Sequence, residues 1–219
     1  MSVSWIPADW DAPDGVVAGT TLRDSSLDAL PLVGQPCWLK QVHGTDVVIA
    51  QAFEQPPAAD AAVGRSTGDI CVVRTADCLP VLISAGDGTE IAAAHAGWRG
   101  LAAGIVEATV SAMRHRPDEL LVWLGPAISQ AAFEVGGEVR AAFVEQAPED
   151  AVFFVTNPRG RWQADLYGLA RRRLRSLGVV AISGGGFCTF TERDRFYSYR
   201  RNPDCGRMVS FVAMQGLEK

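Results

Sequence analysis

The stretch Thr75–Gly100, TADCLPVLISAGDGTEIAAAHAGWRG, constrains the chain more than any other. Two apolar runs, Leu79–Ser84 and Glu90–Ala94, flank Gly86-Asp87-Gly88. Apolar runs parted by such a turn signal read as a β-hairpin. Cys78 stands at the entry of the first strand and His95 at the exit of the second, so both fall at one end of the sheet. A turn centred between Gly86 and Asp87 sets them directly opposite, with Cβ atoms roughly 4.5–5.5 Å apart. A turn centred one residue later makes them diagonal neighbours on the same face. Either arrangement suits a thiolate–imidazole pair or two ligands of one metal. The bland alternative is a buried, inert thiol beside a histidine bonded to a backbone carbonyl. Gly97, Arg99 and Gly100 then add permissive backbone and a fixed charge beside the strand end.

The 219 residues, 48% hydrophobic and 21% charged, predict one soluble domain spanning 1–219 with a substantial core. A net charge of −5 argues against a general binder of nucleic acid or membrane surfaces. No apolar run is long enough to predict a membrane span. The acidic start, MSVSWIPADWDAPDG, lacks the basic and apolar regions of a signal peptide. Five cysteines (Cys37, Cys71, Cys78, Cys188, Cys205) form no regular framework, so reduced thiols in the cytoplasm are expected.

Along the chain, residues 1–15 read as an irregular start whose tryptophans pack on the body. Cys37–Gln41 reads as a strand ending at His43-Gly44, with another at Asp46–Ala50, and Gln51–Gly68 reads as a loop. Gly100–Arg114 has the spacing of one helix, and its free N–H groups beside Arg99 suit an anion. His115, in the charged string RHRPDE, reads as solvated. Leu120–Leu124 is a buried strand, and Gly137–Gln146 and Asp165–Leu177 are helices. The basic run Arg171–Arg175 reads as the solvated outer face of the latter. Tyr197, Tyr199, Arg200, Arg201 and Arg207 either stack on a planar ring and hold an anion, or form ion pairs at a strand edge. Strands outnumber helices and several are joined by short turns. That predicts an α+β fold: a mixed sheet or sandwich core in layers flanked by helices.

His43, Cys78 and His95 all sit at strand ends, where residues distant in sequence can converge. Two imidazoles and a thiolate make a three-ligand zinc site with an open fourth position. Zinc there would supply hydroxide at neutral pH for attack on an sp² carbon. Copper could substitute for it.

QVHGTDVV, TADCLPVL, HAGWRGLAAGI, LGPAI, FEVGGEV and FYSYRR with GRM occur in that order over roughly residues 35–214. In these segments the chain resembles the bacterial peptidoglycan editing factor family. That family was formerly labelled the polyphenol oxidase or laccase-domain family and is also described as purine nucleoside phosphorylase. The resemblance implies an α+β layered sandwich and a zinc held by His43, Cys78 and His95. The activities it implies are phosphorolysis of adenosine, inosine and methylthioadenosine, adenosine deamination, and removal of misincorporated L-serine from a peptidoglycan precursor. The substrate partners would then be a purine nucleoside, phosphate, or a nucleotide-linked cell-wall precursor. On this reading Cys78 and His95 are catalytic, and Asp77 orients a ligand or moves a proton. Arg99 or the Arg200-Arg201 pair holds phosphate. Two competing readings are a metal-free hydrolase with Cys78 as nucleophile and His95 as base, and a non-catalytic binder of cell-wall precursor. Thr20–Pro36 is much shorter than the corresponding stretch of the family and lacks its Gly-Gly-Val-Ser and SLNLG segments.

Overall fold

The apolar runs of the central stretch form the expected hairpin, and a sheet grows outward from it on both sides. The computed structural model describes residues 4–216; residues 1–3, the first of the acidic start, and 217–219 lie outside the described residues. In chain order the strands begin with β1 (Trp5–Pro7), β2 (Val16–Thr21), β3 (Gln35–Cys37), β4 (Val47–Ile49) and β5 (Ala61–Gly64). Next come β6 (Asp69–Thr75), β7 (Leu79–Ala85), β8 (Ile91–Ala96) and helices α1 (Trp98–Ala103) and α2 (Ile105–Ala112). Strands β9 (Leu120–Leu124) and β10 (Glu134–Val135) precede helix α3 (Gly137–Val144). The series ends with β11 (Phe154–Thr156), β12 (Trp162–Ala164), α4 (Leu166–Ser176), β13 (Ala181–Gly184) and β14 (Met208–Met214).

A six-stranded sheet, ordered β13-β9-β7-β8-β5-β4, faces a five-stranded sheet ordered β1-β2-β14-β6-β3, and β10, β12 and β11 form a small third sheet. Both large sheets are mixed, since β13–β9, β4–β5 and β3–β6 are parallel and their other pairings antiparallel. Strand β7 is buried along its whole length, which explains its unbroken apolar run. Val81 and Ile83 join the cluster formed with Leu101, Ile105 and Leu174 of the helices. Leu82 joins the other face, packing with Val73, Trp123 and Val212 between the two large sheets. The α+β expectation, with a layered mixed-sheet sandwich flanked by helices, therefore holds. Among the described residues no helix is long and apolar enough to cross a membrane.

Several local expectations change. The stretch Gln51–Gly68 is not all loop, because it contains the fully buried β5. Its sequence, Ala-Ala-Val-Gly, has little intrinsic strand preference, and pairing with β8 and β4 supplies the order. Trp5–Pro7, expected to be irregular, pairs with β2 as an edge strand. The helix expected over Gly100–Arg114 starts at Trp98 and breaks at Gly104. There φ is +103°, and the N–H caps α1 on the Gly100 and Leu101 carbonyls. The basic run on α4 is not a solvated face. Arg173 is buried and reaches Glu107 Oε1 at 2.7 Å, while Arg171 donates to the carbonyls of Ile182 and Gly184. Their long stems cover apolar surface and carry the heads to internal partners.

His115 likewise is not solvated but half-buried at the far end of the hairpin. Its Nδ1 lies 3.1 Å from Glu90 Oε2 and its Nε2 3.2 Å from Asp87 Oδ2. The bond to Glu90, aided by Asp87 and opposed by partial burial, raises its pKa above the ordinary histidine value. A raised folded pKa contributes stability that is complete below the unfolded value of about 6.5 and lost as pH rises through the folded one. His115→Ala should therefore lower Tm by roughly 2–4 °C at pH 5.5, if the pairs contribute about 1 kcal/mol. It should lower Tm little at pH 9, and an equal loss at both pH values would contradict this origin.

Candidate metal centre and cleft

Strand register brings the candidate ligands together. In the hairpin Pro80 pairs with His95 and Leu79 with Ala96. Cys78 therefore faces Gly97, and His95 is its diagonal neighbour, the second of the two arrangements expected. On the other side of β8, Ala61 pairs with Ala94, and one step further Asp60 lies opposite His95. Strand β4 runs parallel to β5, with Val47 beside Ala61, and the loop leading into it carries His43. The ends of four neighbouring strands thus deliver Cys78, His95, Asp60 and His43 to one place.

The donor atoms of His43, Cys78 and His95 all lie within 4.8 Å of one another, a grouping that could hold a metal ion. Cys78 Sγ is 3.8 Å from His43 Nε2, and the two imidazoles meet edge to face with centroids 4.7 Å apart. Tetrahedral zinc, with bonds of about 2.3 Å to sulfur and 2.0–2.1 Å to nitrogen, sets such donors about 3.6 Å apart. The donor set and spacing therefore fit zinc. Gly97 makes room for the group, because a Cβ there would lie 2.8 Å from His43 Cδ2 and 3.0 Å from Cys78 Sγ.

Burial alone would raise the Cys78 thiol, but bonds from His43 and His95 outweigh it and bring the pKa down to about 6. Burial disfavours charge on His95, yet Asp60 and Cys78 push its pKa up to about 9. Asp60 is fully buried, and its Oδ1 lies 2.8 Å from His95 Nδ1. It also accepts the backbone N–H groups of Val42, His43 and Gly44. The loop expected over Gln51–Gly68 contains Asp60 and gives it no role. The available signal was one acid set among four alanines, Ala58-Ala59-Asp60-Ala61-Ala62.

The three candidate ligands open into a cleft of about 900 Å³, a size suited to a small-molecule ligand. Lys40, Arg74, Arg99, Arg200 and Arg207 line it, against a single carboxylate, Asp77. Arg99 stacks on the Trp98 ring at 4.5 Å, Arg200 on Phe133 at 5.6 Å and Arg207 on Tyr199 at 5.7 Å. Arg99 is exposed within the first turn of the short α1, rather than ahead of a long helix. Lys40, in an isolated bridge to Ala58, and Arg74, the last but one residue of β6, stand just before QVHGTDVV and TADCLPVL, and nothing in their own spacing marks them as cleft residues.

Asp77 lines the cleft with a positive φ of 90°. Its Oδ1 accepts from Thr189 Oγ1, and its Oδ2 from Ser198 Oγ and the Arg200 N–H. Arg200 Nη1 bonds the Glu134 carbonyl. Arg201 sits apart from the cleft lining, its guanidinium donating to the carbonyls of Thr189, Phe190 and Phe196. Tyr197 is similarly occupied elsewhere, donating to Asp24 Oδ1 at 2.5 Å.

A family model described as multi-copper polyphenol oxidoreductase laccase matches residues 11–215. A purine nucleoside phosphorylase of Pseudomonas aeruginosa is 46% identical over 241 residues, covering 97% of this chain and 99% of its own. Those 241 aligned positions exceed the 219 residues here, so that relative carries segments this chain lacks. The purine nucleoside phosphorylase YfiH of Escherichia coli is 50% identical over 184 residues, covering 83% of this chain and 74% of its own. Among solved structures, a Neisseria meningitidis protein superposes with a TM-score of 0.91 at 40% identity, covering 98% of this chain and 100% of its own. YlmD of Geobacillus stearothermophilus gives 0.88 at 25% identity, covering 99% and 98%.

Gly97→Ala tests the packing of the ligand group. The added methyl must displace His43 or Cys78, so affinity for a divalent metal should fall about tenfold or more while circular dichroism stays that of the parent. Unchanged affinity would mean that the three donors do not act as one group.

Proposed function

We propose that this chain, which belongs to the family described as multi-copper polyphenol oxidoreductase laccase, is a zinc-dependent enzyme acting on purine nucleosides. The observation that carries this reading is a His/Cys/His donor group opening into a cleft whose charged lining is almost wholly cationic. The names of its close relatives supply the substrate class. Zinc held by His43, Cys78 and His95 would supply Lewis acidity and an activated water at neutral pH.

The chain's own residues divide the remaining work. In phosphorolysis a phosphate oxygen bonds to the ribose carbon as the bond to the purine breaks, so the site must hold an anion beside a sugar. Arg99 and Arg200 are the proposed grip on that anion, each kept in place by an aromatic ring without losing its charge. Asp77 is proposed as a positioning group, because the bonds of its carboxylate run to the segment that presents Arg200. Arg201 would brace that same segment. Tyr199, half exposed at the cleft, offers a face for a purine. Adenosine deamination and removal of L-serine from a nucleotide-linked cell-wall precursor are further proposed activities, and five cations suit a phosphorylated precursor. The protein would work in the cytoplasm.

One alternative has a specific observation behind it. Asp60, His95 and Cys78 follow one another like the orienter, base and nucleophile of a cysteine hydrolase. Metal analysis of protein purified without added metal separates the two, since the zinc reading expects about one ion per chain. Cys78→Ser and His95→Ala should each bind it too weakly to retain it through purification, though weak binding stays measurable with added zinc. A relay of several copper ions lacks ligands here. The chain has three histidines, and the third is held between Asp87 and Glu90. A single copper ion remains compatible with the same donors.

Arg99→Lys distinguishes phosphorolysis from hydrolysis. Losing one bidentate, charge-assisted contact should cost about 1.5–3 kcal/mol, or roughly ten- to a hundredfold in kcat/KM for phosphate. Conversion of adenosine to inosine should be spared. A joint fall of both activities with a lower Tm would make Arg99 a structural brace, and an unchanged phosphate response would leave the anion to Arg200.

A further inference from the structure

We infer that Asp60 is the positioning residue of the metal centre, fixing which nitrogen His95 offers and holding the loop that carries His43. This rests on reading His43, Cys78 and His95 as metal ligands. A fully buried carboxylate is costly unless its oxygens are satisfied. Asp60 Oδ1 takes His95 Nδ1 at 2.8 Å and the His43 N–H at 2.9 Å, and Oδ2 takes the N–H groups of Val42 at 3.1 Å and Gly44 at 2.7 Å. Each oxygen thus has two donors, which fills its acceptor capacity. The group is spent on orientation, with no free lone pair for a metal or a reacting proton.

Two consequences follow for the ligands. With Nδ1–H given to the carboxylate, the ring of His95 is locked with Nε2 toward the site. His43 is handled through its backbone. Its side chain is exposed and its φ is +60°, an uncommon conformation for a residue other than glycine. Three consecutive N–H groups converging on one anion hold that conformation, in the manner of a backbone nest. His43 Nε2 then lies 3.8 Å from Cys78 Sγ. The strand pairing around Asp60 uses backbone atoms alone: the carbonyl accepts from the His95 N–H and the N–H donates to the Asp46 carbonyl. A change of the side chain therefore leaves the sheet frame in place.

The test is zinc affinity of the metal-free full chain, read by competition with a chromophoric chelator, beside thermal unfolding without metal. In Asp60→Asn an amide NH₂ must face either the N–H groups or His95, so zinc affinity should fall roughly 10- to 100-fold in folded protein. Asp60→Glu keeps the charge but moves the oxygens by one methylene, and it should lose affinity too. In a His95→Ala background the further loss from Asp60→Asn should be smaller, because part of the effect passes through His95. Parental zinc affinity in both Asp60 variants would overturn the inference, as would lower stability without any change in affinity. An equal loss in both backgrounds would remove His95 from the route and overturn it as stated. If the parent protein itself binds no zinc, the ligand reading fails instead, which is a separate result.

Discussion

The register of the β7–β8 hairpin is the constraint on which the candidate site depends. Alternating polarity cannot set it, because β7 is buried on both faces and a slip would exchange one apolar face for another. The turn sets it instead. Ala85 N–H bonds the Glu90 carbonyl, Gly88 N–H bonds the Ala85 carbonyl, and Asp87 Oδ1 accepts both donors of Thr89. Glu90 is anchored in turn by Arg65, the Arg114 N–H and His115. A pairing shifted by two residues would set Cys78 against the His95 imidazole rather than against Gly97. The space into which His43 reaches would then be lost. The charged cluster at one end of the hairpin thus protects the geometry at the other.

The sandwich explains why the chemistry is confined to strand ends. Within the six-stranded sheet both faces are covered, by helices on one side and by the five-stranded sheet on the other. An unpaired polar group there would cost about 1–3 kcal/mol, whereas each buried aliphatic side chain contributes about 1.5–3 kcal/mol. Ser84, the last but one residue of β7 and fully buried, survives by bonding the adjacent Ala85 carbonyl. At the strand ends the layers part, and polar groups can meet on a rigid frame. Asp60 and Cys78 each stand one residue before the start of a strand, and His95 is the last but one residue of β8.

This logic also shows what a reader of the sequence could see. The hairpin was legible, as were the buried strand Leu120–Leu124 and the amphipathic α4, since each carries its pattern locally. The convergence of His43, Cys78 and His95 was legible from their strand-end contexts, and the resemblance made it specific. Asp60 was not, because its partners are reached through pairing of β5 with β8, and Ala-Ala-Val-Gly does not announce a strand. Arg200 and Arg201 could not be told apart either. They are neighbours in sequence, but one lines the cleft while the other turns back to three carbonyls of its own segment. Side-chain direction in an irregular segment comes from tertiary contacts and leaves no periodic trace.

Charge illustrates the same division between global and local information. The chain carries a net charge of −5, yet five cations and one carboxylate line the cleft. The contrast lies in how the arginines are partnered. Away from the cleft, Arg172 meets Asp150, Arg173 meets Glu107 and Arg65 meets Glu90, so their charge is neutralised by acids. Among the described residues none of the five cleft cations makes an ion pair, and four of them sit over aromatic rings, including Arg74 over Trp38. An aromatic face fixes a guanidinium in space without cancelling its charge. Such a cleft leaves its cationic charge uncancelled inside an acidic protein, an arrangement that would favour small anions. The acidic surface continues to disfavour extended polyanions. Selectivity for a compact anionic ligand over a nucleic acid can therefore arise from the distribution of acids alone, before any contact with the metal centre is made.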